Sequence, residues 1–586
     1  MTARRLVCLA LLCFLPGWFL SSLADEAIPH AYPSDAVYQY SVPVPDSTEM
    51  RAYLWIPPQC KQVRGVLLGI QNMLEVDILG DPEIRQACTD CHLGIVFITP
   101  GDDPKDSDVL KVHSPYHTFK PKEYVADHIL QVLKKLAVES GYPEIENAPM
   151  IPTAHSAATP FGWGLVNALP ERMIAFFPCK GWYLGLPPGV PTLYMSSEYA
   201  EVGGVNWGET WKKDQGQVLK IRGGAGEERL IGECVDLGAG HYEWTPEVGP
   251  MVGMFIRKAV AARLPSGVPA NGPVQLKPIT PSSGCLLDPA TMGTPTARPM
   301  TYGEWSGDPR KGFWYFDAEM AKTVNDYMVQ ALAKKPQVID FIDGKGEPAS
   351  LEKGGEAGLG MKWLDDGINF QVAATFLDKS PIANLYGSAE VGHSTSGSIL
   401  YKAGSGCLKQ TGPDTFRIWM RRGGYIQQGS PWDPHIIAYH PGDGEYRRAD
   451  RPGHPWLSLV SPDGSPLNPK DPPQSIDFPK IDDQVLGVDS IHLQATTSAN
   501  LPVQFWVLSG PVELMDDNTT LKFLPIPPNS RFPVRVIIGA YQGGKHGTKV
   551  QSAPPVTREF FIKKSASDPT GIPDATAATT EAIPPK

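Results

Sequence analysis

Apolar and polar positions change rhythm several times along the chain, and each rhythm predicts a different architecture. From about residue 30 to 265, short continuous apolar runs alternate with stretches of helical period. Residues 63–70 (VRGVLLGI) and 94–99 (GIVFIT) read as buried strands, as do 149–153, 173–177 and 191–195. Residues 121–140 repeat Val125, Ile129, Val132, Leu133 and Leu136 at helical spacing, and residues 249–264 close the region as a helix. Strand–helix alternation of this kind predicts an α/β layer, a mostly parallel sheet covered on both faces.

After this the rhythm breaks. Residues 266–310 are rich in Pro, Gly, Ser and Thr and read as a linker or irregular segment. Residues 311–470 open with one amphipathic helix, 316–332, carrying Met320, Val324, Tyr327, Met328 and Ala331 on a face. Runs at 369–376, 415–419 and 435–439, separated by turn residues, make the rest of this portion β-rich, with no legible role. Residues 475–563 hold six short strand candidates (490–496, 502–508, 512–515, 521–524, 534–541 and 556–562), the spacing of an antiparallel sandwich. Residues 565–586 are Ala/Thr/Pro-rich and are expected to be a disordered tail.

The first residues bear on location. Arg4 and Arg5 precede an apolar run over residues 6–20, then Ser21, Ser22, Leu23 and Ala24. This is the layout of a secretory signal peptide, residues 1–24, cleaved after Ala24. The run contains Pro16 and Gly17 and is shorter than the roughly 20 residues a membrane span needs. No later stretch is long and apolar enough, so a secreted or periplasmic protein without a membrane span is expected. Across its 586 residues the chain has 63 acidic and 52 basic residues, a formal net charge of −11, which removes the basic excess a nucleic-acid binder would use. With 42% apolar and 20% charged residues, wholesale disorder is excluded. Beyond the leader lie Cys60, Cys88, Cys91, Cys179, Cys234, Cys285 and Cys407, an odd set. Cys88 and Cys91 have the spacing of a zinc half-site, but no second pair accompanies them, and a metal site needs four ligands. A local disulfide or two inert thiols is the expectation, and neither a metal nor a cofactor is expected.

One constellation points to chemistry. In residues 150–158 (MIPTAHSAA), Ser156 follows a short apolar strand and precedes the helix-compatible run 161–169. A nucleophile elbow needs this arrangement, because a sharp strand-to-helix turn lifts the hydroxyl clear of the backbone. Residues two positions away must then be small; here they are Ala154 and Ala158, where G-x-S-x-G would have glycines. Eighty-five residues on, His241 sits in a Gly-rich loop (GAGH) just before the last helix of the region. An acid completing the set belongs after the strand at 191–195, where Glu198 and Glu201 lie; Glu201 is nearer the usual offset and Glu198 is its close rival.

On these residues, TAHSAA at 153–158, PTLYM at 191–195 and GAGH at 238–241, the region from about 45 to 265 resembles the α/β-hydrolase superfamily of serine esterases. The resemblance implies that Ser156 attacks an acyl carbon and His241 takes its proton, while Glu201 or Glu198 orients the imidazole. It also implies an oxyanion hole built from the backbone N–H of Ala157 and that of Gln71 or Asn72, where a His-Gly pair is common in the family. At the other end, NLPVQFWVLSGP at 500–511 and IGAYQGG at 538–544 resemble a bacterial immunoglobulin-like repeat, which implies a spacer or adhesive module. The expected architecture is therefore multidomain: a leader, an α/β-hydrolase-like catalytic domain over 30–265, a β-rich middle and an Ig-like β-sandwich. The expected activity is a secreted serine hydrolase on carboxylic esters, with acyl or methyl esters of polysaccharide as substrate class. A non-catalytic binding or adhesion protein on the same scaffold and a serine peptidase are the alternatives.

Other features read as background. His113 and His117 flank Pro115 and suit an exposed loop; Asp102, Asp103, Asp106 and Asp108 lack an EF-hand pattern. His435, His440 and His454 have no matching carboxylates, and Trp163, Trp182, Trp207, Trp211 and Trp244 fit core packing as well as an aromatic wall.

Overall fold

The structure, a computed structural model, describes residues 36–45, 50–99, 122–198, 210–224, 226–349, 359–378, 390–404, 408–420, 422, 435–453, 472–547, 550–551 and 553–567. Its first unit is an eight-stranded sheet of order β1-β2-β4-β3-β5-β6-β7-β8. The strands are β1 (Tyr40–Pro43), β2 (Arg51–Trp55), β3 (Gly65–Ile70), β4 (Leu93–Thr99), β5 (Met150–His155), β6 (Phe177–Cys179), β7 (Thr192–Ser197) and β8 (Ile231–Asp236). β1 and β2 enter antiparallel at one edge; β4, β3, β5, β6, β7 and β8 run parallel. Every residue of β3, β4, β5, β7 and β8 is buried, which is why the parallel strands read as continuous apolar runs and not as alternating ones.

The helices are α1 (Glu75–Gly80), α2 (Pro82–Cys91), α3 (Lys122–Ser140), α4 (Thr159–Ala168), α5 (Thr210–Arg222) and α6 (Gly249–Arg263). On α3, Val125, Ile129, Val132, Leu133 and Leu136 are all buried, as their spacing predicts. α2 starts where Asp81 accepts the N–H groups of Glu83 and Ile84 and Pro82 takes the first helical turn.

Two expectations shift here. The run at 173–177 pairs only through bridges at Met173 and Phe176, and β6 proper begins at Phe177. β8 has no counterpart among the predicted strands, because Glu233 and Asp236 interrupt its apolar pattern; both are fully buried.

The segment read as a linker is structured over much of its length. Cys285–Leu287 pairs with Met300–Thr301 and Phe313–Tyr315 in a small antiparallel sheet. This sheet packs on β8, where Tyr315 donates to the Glu233 carbonyl at 2.6 Å and a Cβ on Gly232 would lie 2.4 Å from the Trp314 carbonyl oxygen. The amphipathic helix follows as α7 (Ala318–Leu332), capped by Asp317.

The described residues between 338 and 453 include several small antiparallel sheets. Residues 476–563 include a four-stranded sheet (Gln484–Val485, Ala553–Lys563, Val534–Gln542, Gln504–Ser509) and a three-stranded one (Ser490–His492, Thr520–Phe523, Val512–Leu514). All pairs in these two sheets are antiparallel except that of Gln484–Val485 with Ala553–Lys563.

The C-terminal unit does not hang from the chain as a spacer. Phe505, Val534, Ile538 and Phe560 belong to the same continuous apolar core as the N-terminal sheet. Polar seams close the joint: Ser41 Oγ donates to Ser509 Oγ at 2.9 Å, and the N–H of Arg531 donates to the Ser140 carbonyl at 2.9 Å.

Cys60, Cys88, Cys91, Cys179, Cys234 and Cys285 are all free and buried. Burial pushes the Cys91 thiol up to about 11, so Cys88 and Cys91 are the inert pair of the two alternatives. No helix among the described residues is long and apolar enough to cross a membrane. The leader, Cys407, His113, His117, His454, Trp207, Glu201, the Asp102–Asp108 cluster and the tail from residue 568 lie outside the described residues.

Candidate active site

β5 delivers Ser156. The strand ends at His155, Ser156 takes a left-handed backbone (φ +49°), and a short helical turn over Ser156–Ala158 leads into α4. A non-glycine residue held there costs about 1–3 kcal/mol, so the surroundings must impose it. They do. Ala154 and Ala158 are fully buried on either side, and Thr159 locks the turn by donating to the Ser156 carbonyl at 2.7 Å while accepting the Trp182 N–H at 2.9 Å. The predicted strand–Ser–helix geometry is present, with alanine serving where glycine was the reference.

His241 arrives from the loop after β8, its Nε2 2.7 Å from Ser156 Oγ. The carbonyls of Gly240, His241, Glu243 and Trp244 each have a side-chain donor. Lys180 Nζ donates to Gly240 O at 2.8 Å and to Glu243 O at 2.5 Å, His155 Nε2 to His241 O at 2.8 Å, and Lys402 Nζ to Trp244 O at 3.0 Å. Glu243 closes the loop on itself by accepting the Gly240 N–H at 2.9 Å.

Lys180 is the least expected of these residues. It is buried at the end of β6 with φ +46°, and its third hydrogen bond is to Asp236 Oδ2 at 2.9 Å. Burial is the largest influence and pulls the ammonium down, but Asp236, Cys179 and Glu243 together outweigh it and the net shift is upward, so the group is a cation. Asp236 also accepts the Thr245 hydroxyl at 2.5 Å.

The electrostatics disfavour a charged imidazole. Burial, with the Lys180 cation second, lowers His241 to about 3. His155 is likewise held well below the usual value, by burial first and then by His241 and Lys180. His241 is therefore neutral at ordinary pH, able to accept the Ser156 proton but poorly supported once it holds it. Its Nδ1 has no hydrogen-bond partner among the described residues.

The two carboxylates expected near that atom divide. Glu201 lies outside the described residues. Glu198 lies immediately after β7, yet its carboxylate is taken by the Arg447 guanidinium and by the Gly238 N–H at 2.7 Å. Glu198 is thus the ion-pair partner of a residue 249 positions later and not the orienter of His241.

The oxyanion expectation is corrected at the end of β3. The Gln71 N–H donates to Ile98 O at 2.7 Å, and the Asn72 N–H to Glu75 Oε2 at 2.9 Å, so neither faces an incoming substrate. Asn72 Nδ2 donates to His155 O at 3.1 Å. The cause is Glu75, a buried carboxylate that also accepts the Met73 N–H at 3.0 Å and the His155 N–H at 2.6 Å. Burial pushes Glu75 up to about 7, against these hydrogen bonds. The Ala157 N–H stands in the first turn after β5, where N–H groups have no intrahelical acceptor.

Sequence reasoning missed Glu75, His155, Lys180 and Asp236. Only Glu75 left a signal, standing three residues after Asn72 at the start of a helix. Of the tryptophans, Trp163, Trp211 and Trp244 are buried in the core, while Trp182 is 56% exposed next to the Thr159 lock. His440 is structural, accepting from Gln337 Nε2 and the Gly442 N–H on one ring nitrogen. Among the described residues no group of His, Cys, Asp and Glu could hold a metal ion.

No protein-family model and no curated protein matches the chain. Among solved structures, a zinc-bound cold-adapted esterase from an Arctic intertidal metagenomic library matches 38% of this chain and 92% of its own, at 14% identity and a TM-score of 0.26. An S-formylglutathione hydrolase from Agrobacterium tumefaciens matches 38% and 93%, at 9% identity and 0.27. A poly(3-hydroxybutyrate) depolymerase from Bordetella parapertussis matches 39% and 94%, at 13% identity and 0.26.

Proposed function

We propose that the chain is a serine hydrolase of the α/β-hydrolase type that cleaves carboxylic esters, with acyl or methyl esters of carbohydrates as its substrate class. The observation that carries this reading is the 2.7 Å contact between His241 Nε2 and the hydroxyl of a serine in a left-handed strand-to-helix turn. Ser156 Oγ adds to the ester carbonyl as its proton passes to His241 Nε2. The tetrahedral oxyanion forms against the Ala157 N–H, and the proton then goes to the leaving alcohol as the acyl-enzyme appears. Water, deprotonated by the same imidazole, releases the acid. The second oxyanion donor is assigned to the side-chain N–H₂ of Gln71, a buried residue just past the end of β3. Glu201 is the candidate acid for His241 Nδ1. The basic and apolar leader supports a secreted or periplasmic place for the reaction.

A fluorophosphonate probe should label wild-type protein at Ser156, with p-nitrophenyl acetate turnover, and Ser156→Ala should lose both. Absence of labelling and turnover in wild type refutes the reading. Cleavage of peptide amides at rates comparable with esters would move it to a peptidase. Glu201→Gln should lower kcat by roughly 10⁴-fold if this residue holds the correct tautomer; an unchanged kcat removes it from the triad. The non-catalytic scaffold stands as second reading on one observation, the depression of His241 to about 3 beside Lys180.

A further inference from the structure

The loop that carries His241 is gripped from two sides, and one side belongs to residues beyond α7. The Asp450 N–H donates to Gly238 O at 2.8 Å. Gly238 is left-handed (φ +82°), and a Cβ there would lie 2.4 Å from Arg448 O, so the two backbones meet directly. At the other end of the loop, Lys402 Nζ donates to Trp244 O. Between them the His435 ring stacks on Tyr242 with centroids 5.1 Å apart and planes 22° apart, and Tyr242 meets the His241 ring edge-on at 4.9 Å.

The centre of this grip is Arg447. Its Nη2 and Nε donate to the two Glu198 oxygens, and its Nη1 donates to Lys334 O at 3.0 Å. Glu198 passes the constraint on. Besides accepting the Gly238 N–H, its own N–H is shared between Asp236 O and Ala239 O, each at 3.1 Å. Both side chains are buried. A paired guanidinium and carboxylate in a buried joint adds little net stability but fixes one geometry. Beside the pair a cleft of about 460 Å³, bordered by Leu237, Tyr327, Lys334, Arg447 and Arg448, leaves the joint unfilled. The ion pair and the Asp450–Gly238 backbone bond span the joint beside this cleft.

We propose that Arg447 and Glu198 are positioning residues: their ion pair transmits the placement of Lys334 and of residues 435–453 to Gly238 and so sets His241 against Ser156. This rests on the hydrolase reading above and deepens it, making the β-rich middle a part of the hydrolase site. The test is a double-mutant cycle in the full chain, with Arg447→Gln, Glu198→Gln and the pair, read by p-nitrophenyl acetate kinetics and by the imidazole NMR resonances of His241, identified with His241→Gln. Each single variant should lower kcat by roughly 10- to 100-fold with KM within about twofold, as expected for a small misplacement of a reacting group. The double variant should cost no more than the worse single one, and the His241 resonances should move in all three. Folded variants with wild-type kcat and unmoved resonances overturn the proposal. Should wild type show neither turnover nor fluorophosphonate labelling, the hydrolase reading falls by itself, and displaced His241 resonances still support the coupling. If Arg447→Gln does not fold, Lys402→Met gives the same comparison from a partly exposed side chain.

Discussion

The nucleophile turn and the histidine loop face each other across 2.7 Å, yet they are built on different principles. Ser156 is placed by what lies beside it: the end of β5, the small Ala154 and Ala158, the Thr159 hydroxyl and, one layer below, Glu75 gathering three N–H groups. His241 is placed from a distance, by a lysine 61 residues before it and by the Lys402 side chain and the Asp450 N–H, some 160 to 210 residues after it. A local turn survives changes elsewhere in the molecule. A loop held by charges from distant parts of the chain, Lys180 and Lys402, responds to each of them, so the pair can be uncoupled from the histidine side.

The strongest way to break the comparison is Lys180→Met. The ammonium makes three buried hydrogen bonds, and removing it strands Asp236 and two carbonyls. Removing one partner of a buried ion pair costs about 3–5 kcal/mol. Urea unfolding should show a loss of this size, and His241 should lose its ordered place before the β5 end does. A loss under 1 kcal/mol would mean that the loop does not depend on its buried cation.

The nucleophile side breaks more gently. Glu75→Gln keeps shape and one acceptor oxygen but turns an amide N–H₂ toward backbone N–H groups. Leaving buried donors unmet costs about 1–3 kcal/mol. The same urea series should place Glu75→Gln between wild type and Lys180→Met; a larger effect than Lys180→Met would reverse the ranking of the two regions.

This asymmetry explains what could be read from the chain. The Ser156 turn is written in nine consecutive residues, and the parallel strands in unbroken apolar runs, so both were legible. The His241 loop was visible through its glycines. Lys180 was not, because a lone lysine after a three-residue strand gives no sign that its carboxylate lies 56 residues away. Glu198 reads, from its position after β7, as the close rival of Glu201 for the catalytic acid, and its partner, 249 residues later, lies where the pattern is silent. The β8 strand hid behind two buried carboxylates, and the 266–310 segment looked like a linker because a Pro/Gly-rich stretch that packs on a sheet has the same composition as one that does not.

Acid and base titration sharpens the comparison with the smallest effects, because the two sides have opposite signs. His241 sits near 3 in the folded chain against an unfolded value of 6.5. Between those limits the unfolded state binds the extra proton, so this group makes stability rise with pH by about 1.4 kcal/mol per unit. Glu75 is pushed up to about 7 from an unfolded value of 4.5. There the folded state holds the extra proton, and stability falls as pH rises from 4.5 to 7 by the same slope. Urea unfolding of wild type, His241→Gln and Glu75→Gln from pH 5 to 6.5 therefore separates them by differences alone. Relative to wild type, His241→Gln should flatten the rise with pH and Glu75→Gln should steepen it, each by roughly half to one proton across this window. Parallel curves for all three would show that neither side chain is held in the protonation state its burial imposes, and the electrostatic contrast between turn and loop would go with them.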